Sequence, residues 1–217
     1  MTDKIRILQE QLGTIIKGKK EVTDKIIMAV LAKGHVLLED VPGVGKTTTA
    51  LALSRLMGMD FQRIQFTPDL LPSDITGLNY YNQQAGEFQF RPGPVFANII
   101  LADEINRTSS KTQAALLEVM EEGRVTVDGE THEVPKPFVV LATENPVGSS
   151  GTQMLPESQL DRFMVSLSMG YPDHESLVEI LRDRQDTNPL DHAETVVHKE
   201  ELLKLQEQVQ KVYMEDR

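Results

Sequence analysis

Lys46 and Thr47 follow two glycines in Val41-Pro42-Gly43-Val44-Gly45-Lys46-Thr47-Thr48, a mixture of small, cationic and hydroxyl residues suited to a polyphosphate. Gly43 and Gly45 let backbone N–H groups approach an anion, and a helix opening at Lys46 adds the positive end of its dipole. In the pattern G-x-x-x-x-G-K-[ST] the lysine reaches the β- and γ-phosphates and the hydroxyl joins a Mg²⁺ shell, roles that fall here to Lys46 and Thr47, with Val44 and Thr48 completing the loop. Asp40 stands where that pattern has its first glycine, so the match is confined to Pro-Gly-Val-Gly-Lys-Thr. A second candidate group lies at Asp103 and Glu104, adjacent carboxylates that end the apolar run Asn98-Ile99-Ile100-Leu101-Ala102. Downstream of a phosphate loop, Asp103 is suited to the Mg²⁺ shell and Glu104 to orienting and deprotonating an attacking water. Thr143 and Asn145 close another apolar run and are placed to touch the same ligand, although an asparagine before Pro146 also suits an ordinary turn.

These residues need elements to position them. Val36-Leu37-Leu38-Glu39 predicts a strand, and Ala50, Leu53, Leu56 and Met57 mark a helix after the loop. Before that strand, apolar residues at helical spacing over Ile5–Ile16 and Val22–Leu31 predict two helices broken at Lys17-Gly18-Lys19-Lys20. Phe61–Phe66, Asn98–Asp103, Phe138–Thr143 and Met164–Leu167 read as further strands. Continuous apolarity at 98–103 and 138–143 suits parallel strands buried on both faces, whose carboxyl ends are where open α/β sheets place ligands. Two hairpins interrupt this alternation. Leu78–Tyr81 and Glu87–Phe90 flank a loop of about five residues, and Arg124–Val127 and Glu130–Val134 flank the two-residue turn Asp128-Gly129. The aromatics of the first hairpin either form a partner-contacting tip or, the favoured expectation, pack within the hairpin and onto the domain. Thr108 or Ser109 is placed to cap a helix running through Glu121 and ending at Gly123. His35, just before the first strand, reads as a core or edge histidine, since no partner spacing accompanies it. His132, His174, His192 and His198 have no metal-ligand spacing.

Composition narrows the function classes. With no cysteine there is no thiolate metal site, disulfide framework or cysteine nucleophile, which suits the cytoplasm. The N-terminus lacks the apolar stretch of a signal peptide, and no apolar run is long enough to span a bilayer. A net charge of −11 argues against broad contacts with nucleic-acid phosphates. The charge is uneven: residues 173–217 carry twelve acidic and six basic side chains, which predicts a second structural unit beginning near Tyr171-Pro172. The apolar stripe of its last helix, at Leu202, Leu205, Val209 and Val212, lacks some of the elements it should pack against, so this unit reads as cut short.

Four segments occur in order: Pro42-Gly43-Val44-Gly45-Lys46-Thr47, Leu101-Ala102-Asp103-Glu104-Ile105-Asn106-Arg107, Ala142-Thr143-Glu144-Asn145-Pro146 and Leu155-Pro156-Glu157-Ser158-Gln159-Leu160-Asp161-Arg162-Phe163. Together, over roughly residues 14–172, they resemble the MoxR family of AAA+ ATPases, related to the magnesium-chelatase motor subunit. The family commonly reads Leu-Glu-Asp-Val-Pro-Gly-Val-Gly-Lys-Thr, which accommodates Asp40. The resemblance implies an α/β fold, an AAA+ P-loop NTPase with a central, mostly parallel five-stranded sheet flanked by helices and carrying two inserted hairpins. Residues 1–172 would form the nucleotide-binding domain and 173–217 the start of a helical lid.

Further roles come from the resemblance alone. Asn145 would sense the γ-phosphate or attacking water, and Arg162 would be an arginine finger reaching a neighbouring subunit's nucleotide. Taken by itself, an arginine beside Asp161 is ordinarily half of a surface salt bridge. Lys17-Gly18 would lie near the adenine, with Gly18 contacting it through backbone. No second arginine sensor is recognisable before Arg217, so this stretch is expected to bind nucleotide less tightly or hydrolyse it poorly. ATP and Mg²⁺ are the implied ligands, a homo-hexamer the implied assembly, and von Willebrand A-domain proteins the implied partners in chaperone-like remodelling. A nucleic-acid motor or restriction-type GTPase, and a nucleotide-gated scaffold with little hydrolysis, are the competing readings. The acidic charge disfavours the first and Glu104 the second.

Overall fold

The computed structural model describes residues 2–39, 43–145, 155–186 and 188–213. Helices α1 (Thr2–Ile15) and α2 (Lys20–Leu31) precede β1 (Val36–Glu39) and the loop that opens α3 (Lys46–Leu56). Strand β2 (Phe61–Gln65) leads through a one-turn helix, α4 (Pro72–Thr76), into the hairpin β3 (Gly77–Asn82) and β4 (Glu87–Pro92). Then come β5 (Ile99–Asp103), a 3-10 turn at Ile105–Arg107, α5 (Ser110–Glu122), the hairpin β6 (Arg124–Val127) and β7 (Glu130–Glu133), and β8 (Val139–Glu144). A short α6 (Glu157–Leu160) and β9 (Val165–Leu167) follow, with α7 (His174–Asp186), a 3-10 turn at Pro189–His192 and α8 (Lys199–Val209) completing the described chain.

Five strands form one parallel sheet in the order β2-β5-β8-β1-β9. Because consecutive side chains of a strand point to opposite faces, β5 buries Ile99 and Leu101 on one side and Ile100 and Ala102 on the other. The first face packs α1, α2 and α3; the second packs α5 and the Ile105 turn. Each fully buried Leu or Ile in these layers contributes about 1.5–3 kcal/mol relative to exposure. The unbroken apolar runs are thus those of strands covered on both faces. Their carboxyl ends meet at one edge of the sheet, where Gln65 is in register with Asp103. Leu190, Val197, Leu202 and Leu205 of the acidic C-terminal stretch share the core of α1–α3, and Gln206 Nε2 donates to Val30 O at 2.8 Å. Leu181, Val212 and Tyr213 lie exposed.

Local chemistry explains the boundaries. Ser109 caps α5 by accepting from Thr112 N, and Gly123 ends that helix in the left-handed conformation. The strands of the first hairpin run one or two residues further than the alternation suggests, leaving a turn over 83–86. Asn82 Oδ1 accepts from the N–H groups of Gln84 and Ala85, an Asx arrangement that lets the turn tighten. The hairpin's aromatics pack within the hairpin and onto the domain, the favoured expectation, while leaving part of their surface exposed. Phe90 stacks on His132 with ring centroids 3.9 Å apart and meets Phe96 edge-on, whereas Tyr81 and Phe88 pair with each other and Phe88 stays 72% exposed.

His35 is a core histidine. Its Nδ1 accepts from Val140 N at 3.0 Å and its Nε2 faces Met120 O at 3.1 Å, so the neutral ring bridges β8 and α5 with the proton on Nε2. Burial lowers its pKa below the ordinary 6.5, opposed by the bond to Met120 O. The folded state therefore binds this proton less readily than the unfolded chain. The resulting stability is complete above the unfolded pKa and is lost as pH falls from there through the folded value. Thermal melts are expected to show a lower Tm at pH 5 than at pH 7.5, with the difference reduced in His35→Gln. An equal loss in both proteins would remove His35 as the cause.

Candidate functional site

The loop between β1 and α3 is built from glycines whose backbone other residues adopt only with strain. Gly43 and Gly45 have φ of +89° and +95°, and Gly45 is the left-handed N-cap of α3. Gly45 has no side chain with which to cap the helix, so the α3 N-terminus presents backbone N–H groups and a positive dipole end to whatever lies in front of it. A cavity of about 410 Å³ lies there, lined by the glycines, Lys46, Thr47 and Thr48 on one side and by Arg63, Gln65, Asp103, Glu104 and Asn145 on the other. Cationic, hydroxyl and carboxylate groups thus share one concave space at the carboxyl ends of β2, β5 and β8. Val44 is largely buried in the core, and its loop neighbours Gly45 and Thr48 also line an adjoining cavity with Ile15, Lys17 and Pro172.

The carboxylates are held by a connected network. Asp103 Oδ1 accepts from Thr143 Oγ1 at 2.7 Å, and Oδ2 accepts from Arg63 Nη2 at 2.5 Å and Nε at 3.1 Å. Glu104 Oε1 accepts from Asn145 Nδ2 at 2.5 Å, while Oε2 accepts from Gln65 Nε2 and Arg107 Nη1, each at 2.8 Å. Glu104 has φ +58°, a left-handed backbone uncommon for a residue with a side chain, and its N–H donates to Thr143 Oγ1. The strand therefore ends in a sharp turn that aims two consecutive carboxylates into the same space. Asn106 and Asn145 exchange side-chain and backbone hydrogen bonds, so Asn145 is positioned from both ends.

A model of the ATPase family associated with various cellular activities (AAA) matches residues 35–165. The chain belongs to this AAA family. It is 54% identical over 207 residues to the Bacillus subtilis protein YeaC, covering 95% of this chain and 65% of that one. It is 47% identical over 197 residues to the Mycobacterium tuberculosis chaperone MoxR1, covering 91% of this chain and 52% of that protein. A crystal structure from Cytophaga hutchinsonii, of a protein whose name proposes an ATPase, superposes with a TM-score of 0.89 at 42% identity over 99% of this chain and 65% of the other. The resemblance to MoxR proteins stands on these relatives. The chain spans between half and two thirds of the length of each.

Within this AAA chain, Gly43, Gly45, Lys46, Thr47, Thr48, Asp103, Glu104 and Asn145 are brought together around one cavity, whereas Val44 lines the adjoining one. Thr143 does not line the cavity. It is fully buried, and its hydroxyl is committed to Asp103 and to Glu104 N. Arg162 does not line the cavity; its guanidinium makes a close ion pair with Glu121 of α5, not the expected pair with Asp161. Gly18 sits beside the adjoining cavity without being among its lining residues. It has φ +69°, and a Cβ there would meet Ser176 Oγ at 2.2 Å, so it gives α7 room to approach. Its neighbour Lys17 reaches Asp183 and Glu179 of α7 at 3.4 and 3.7 Å. Asp40, Val41, Pro42 and Pro146 lie outside the described residues.

Arg63 and Gln65 belong to no motif, and Arg107 closes the segment Leu101–Arg107 without a role assigned to it there. Their signal is positional, since Arg63 and Gln65 are two apart on β2 and so share a face beside Asp103. Glu144 is a further carboxylate at this edge, in register with Glu39 across β1 and β8. Burial, and then the Glu39 charge, raise its pKa above the ordinary carboxylate value.

A divalent cation fits the donor chemistry. Among the described residues no group of three or more His, Cys, Asp or Glu side chains forms a metal cage. A Mg²⁺ ion held by one carboxylate, one hydroxyl and substrate phosphates needs none, and Asp103 and Thr47 are hard oxygen donors facing one cavity. No helix among the described residues is long and apolar enough to cross a membrane.

Proposed function

We propose that this chain is the nucleotide-hydrolysing part of a MoxR-type AAA motor that converts ATP and water to ADP and phosphate. The observation that carries this reading is the single cavity into which Lys46, Thr47 and the α3 N-terminus project opposite Asp103, Glu104 and Asn145. Loop N–H groups and Lys46 bind the triphosphate tail, whose negative charge they offset. Asp103 and Thr47 would hold Mg²⁺, which would supply charge neutralisation at the phosphates when bound. Glu104 orients a water and takes one of its protons as the water oxygen bonds to the γ-phosphorus and the bond to the leaving ADP oxygen breaks. Both oxygens of Glu104 already accept hydrogen bonds, so one of those donors gives way when water arrives. Asn145 is suited to report the γ-phosphate, because it holds the same carboxylate that faces the water. The adjoining cavity beside Ile15, Lys17 and Val44 is the proposed seat of the base, with Gly18 acting through backbone nearby.

Arg162 is proposed to act on a neighbouring copy. A contact in which one subunit's finger meets another's phosphate site is head-to-tail and closes into a ring when the rotation permits, here a hexamer. Remodelling of partner proteins is proposed from the likeness to MoxR proteins, one of which is named a chaperone, and von Willebrand A-domain proteins are the partners proposed for it. The lack of cysteine is consistent with a cytoplasmic location. Residues 1–172 are assigned to nucleotide binding and 173–217 to the start of a lid. The net charge of −11 counts against a nucleic-acid motor, so added DNA is expected to leave turnover unchanged.

Isothermal calorimetry with ATP and magnesium tests the reading directly. The chain is expected to bind, and Lys46→Ala to weaken binding by at least about tenfold, the scale of a lost hydrogen bond to a charged group. No binding heat from a well-folded sample, with either ATP or GTP, would overturn it.

A further inference from the structure

Arg63 projects from β2, the edge strand of the sheet, onto the carboxylate assigned to the metal. The two oxygens of Asp103 have partners of very different freedom. Oδ1 is held by Thr143, which is fully buried and also tied to Glu104 N. Oδ2 takes both donors of Arg63, whose side chain is 47% exposed and lines the phosphate cavity. A guanidinium fork on a single carboxylate is a strong, charge-assisted contact, yet this one sits where its long side chain has open space to swing into. A divalent cation binding Asp103 repels a guanidinium a few ångströms away.

We propose that Arg63 is a positioning residue that pairs with Asp103 and gives it up to magnesium arriving with nucleotide. The proposal rests on the assignment of this cavity to Mg²⁺ and ATP. Arg63 then sets the magnesium concentration at which the site loads. The same displacement reaches Glu104. Arg63 Nη2 also donates to Gln65 Oε1 at 2.7 Å, and Gln65 Nε2 donates in turn to Glu104 Oε2. Removing the guanidinium from this chain frees the Gln65 amide and loosens one of the three holds on Glu104, so loading of the metal and release of the base are steps of one relay.

The test is a magnesium titration of the binding of a fluorescent ATP analogue, performed on the wild-type chain, Arg63→Met and Arg63→Lys. Half-saturating magnesium is expected to fall by roughly tenfold in Arg63→Met, the scale of one charged hydrogen bond lost from the competitor. Arg63→Lys, with a point charge and no fork, is expected between the two. Binding in EDTA should stay close to wild type in all three. An unchanged or raised magnesium midpoint in both variants overturns the proposal. So does a marked loss of binding in EDTA, which would make Arg63 a phosphate ligand instead. Those results leave the ATPase reading intact; failure of the wild-type chain to bind the analogue even at saturating magnesium overturns both.

Discussion

Replacement of Glu104 by glutamine is expected to leave ATP binding close to that of the wild type and to lower turnover by roughly 10²–10⁴-fold, the range of a lost general base. The substitution is nearly isosteric. The amide oxygen of glutamine can still accept from Asn145 or from Gln65 and Arg107, so the turn at φ +58° keeps its support. What is lost is the capacity to take a proton from water. The opposite side of the cavity, built from Gly43, Gly45, Lys46, Thr47 and Thr48 and proposed to bind the phosphates, is untouched, which is why affinity and rate should separate. Calorimetry paired with a steady-state phosphate-release assay measures both. Hydrolysis at the wild-type rate in Glu104→Gln would take this carboxylate out of the mechanism, and a large fall in affinity would make it a binding group.

Arg162→Ala is expected to lower kcat by on the order of 10³, as for other arginine fingers, with ATP affinity largely preserved. Two features support a role across a subunit boundary. Arg162 does not line the cavity holding Lys46, and its guanidinium is only partly exposed against Glu121, a surface-type pair of low net worth that a phosphate can outcompete. The trans role makes a stronger prediction than the single variant. Specific activity of the wild type should rise with protein concentration. Mixing Arg162→Ala with Lys46→Ala should recover part of the turnover, because the first supplies an intact phosphate loop and the second an intact finger. Activity that is flat with concentration, together with no recovery on mixing, would place Arg162 outside the reaction.

Much of the site was legible in the chain because each piece is local. Gly43, Gly45, Lys46 and Thr47 are contiguous, and their chemistry follows from positive φ at the glycines and a helix starting at once afterwards. Asp103 and Glu104 were readable for a similar reason. An unbroken apolar strand must be buried on both faces, so its first polar residues fall at its carboxyl end, where the other buried strands also end. The Asp128-Gly129 turn, the Ser109 cap and the Gly123 stop are likewise decided by neighbours in sequence.

Other assignments required knowing which strands adjoin. Thr143 and Asn145 look equivalent in sequence, two polar residues ending the same strand. They are two apart and would share a face if the strand continued, but β8 ends at Glu144: Thr143, still in the strand and fully buried, bonds Asp103 and Glu104 N, whereas Asn145, one residue past the end, lines the cavity. Arg63 and Gln65 carry no motif at all. They matter only because β2 lies beside β5 in a register that sets Gln65 against Asp103, across a sequence separation of about forty residues that spans an inserted hairpin.

The sequence by itself determined the α/β class, the glycine loop that opens α3 and the pair of carboxylates, since these follow from backbone conformation and burial along single elements. The tertiary structure decided the partners of those carboxylates, the pairing of Arg162 with Glu121, the stacking of Phe90 on His132, and the sharing of one core by α8 with α1–α3. Hydrogen bonds and ion pairs between distant segments depend on the order and register of strands and on which helix covers which face. No local propensity encodes them.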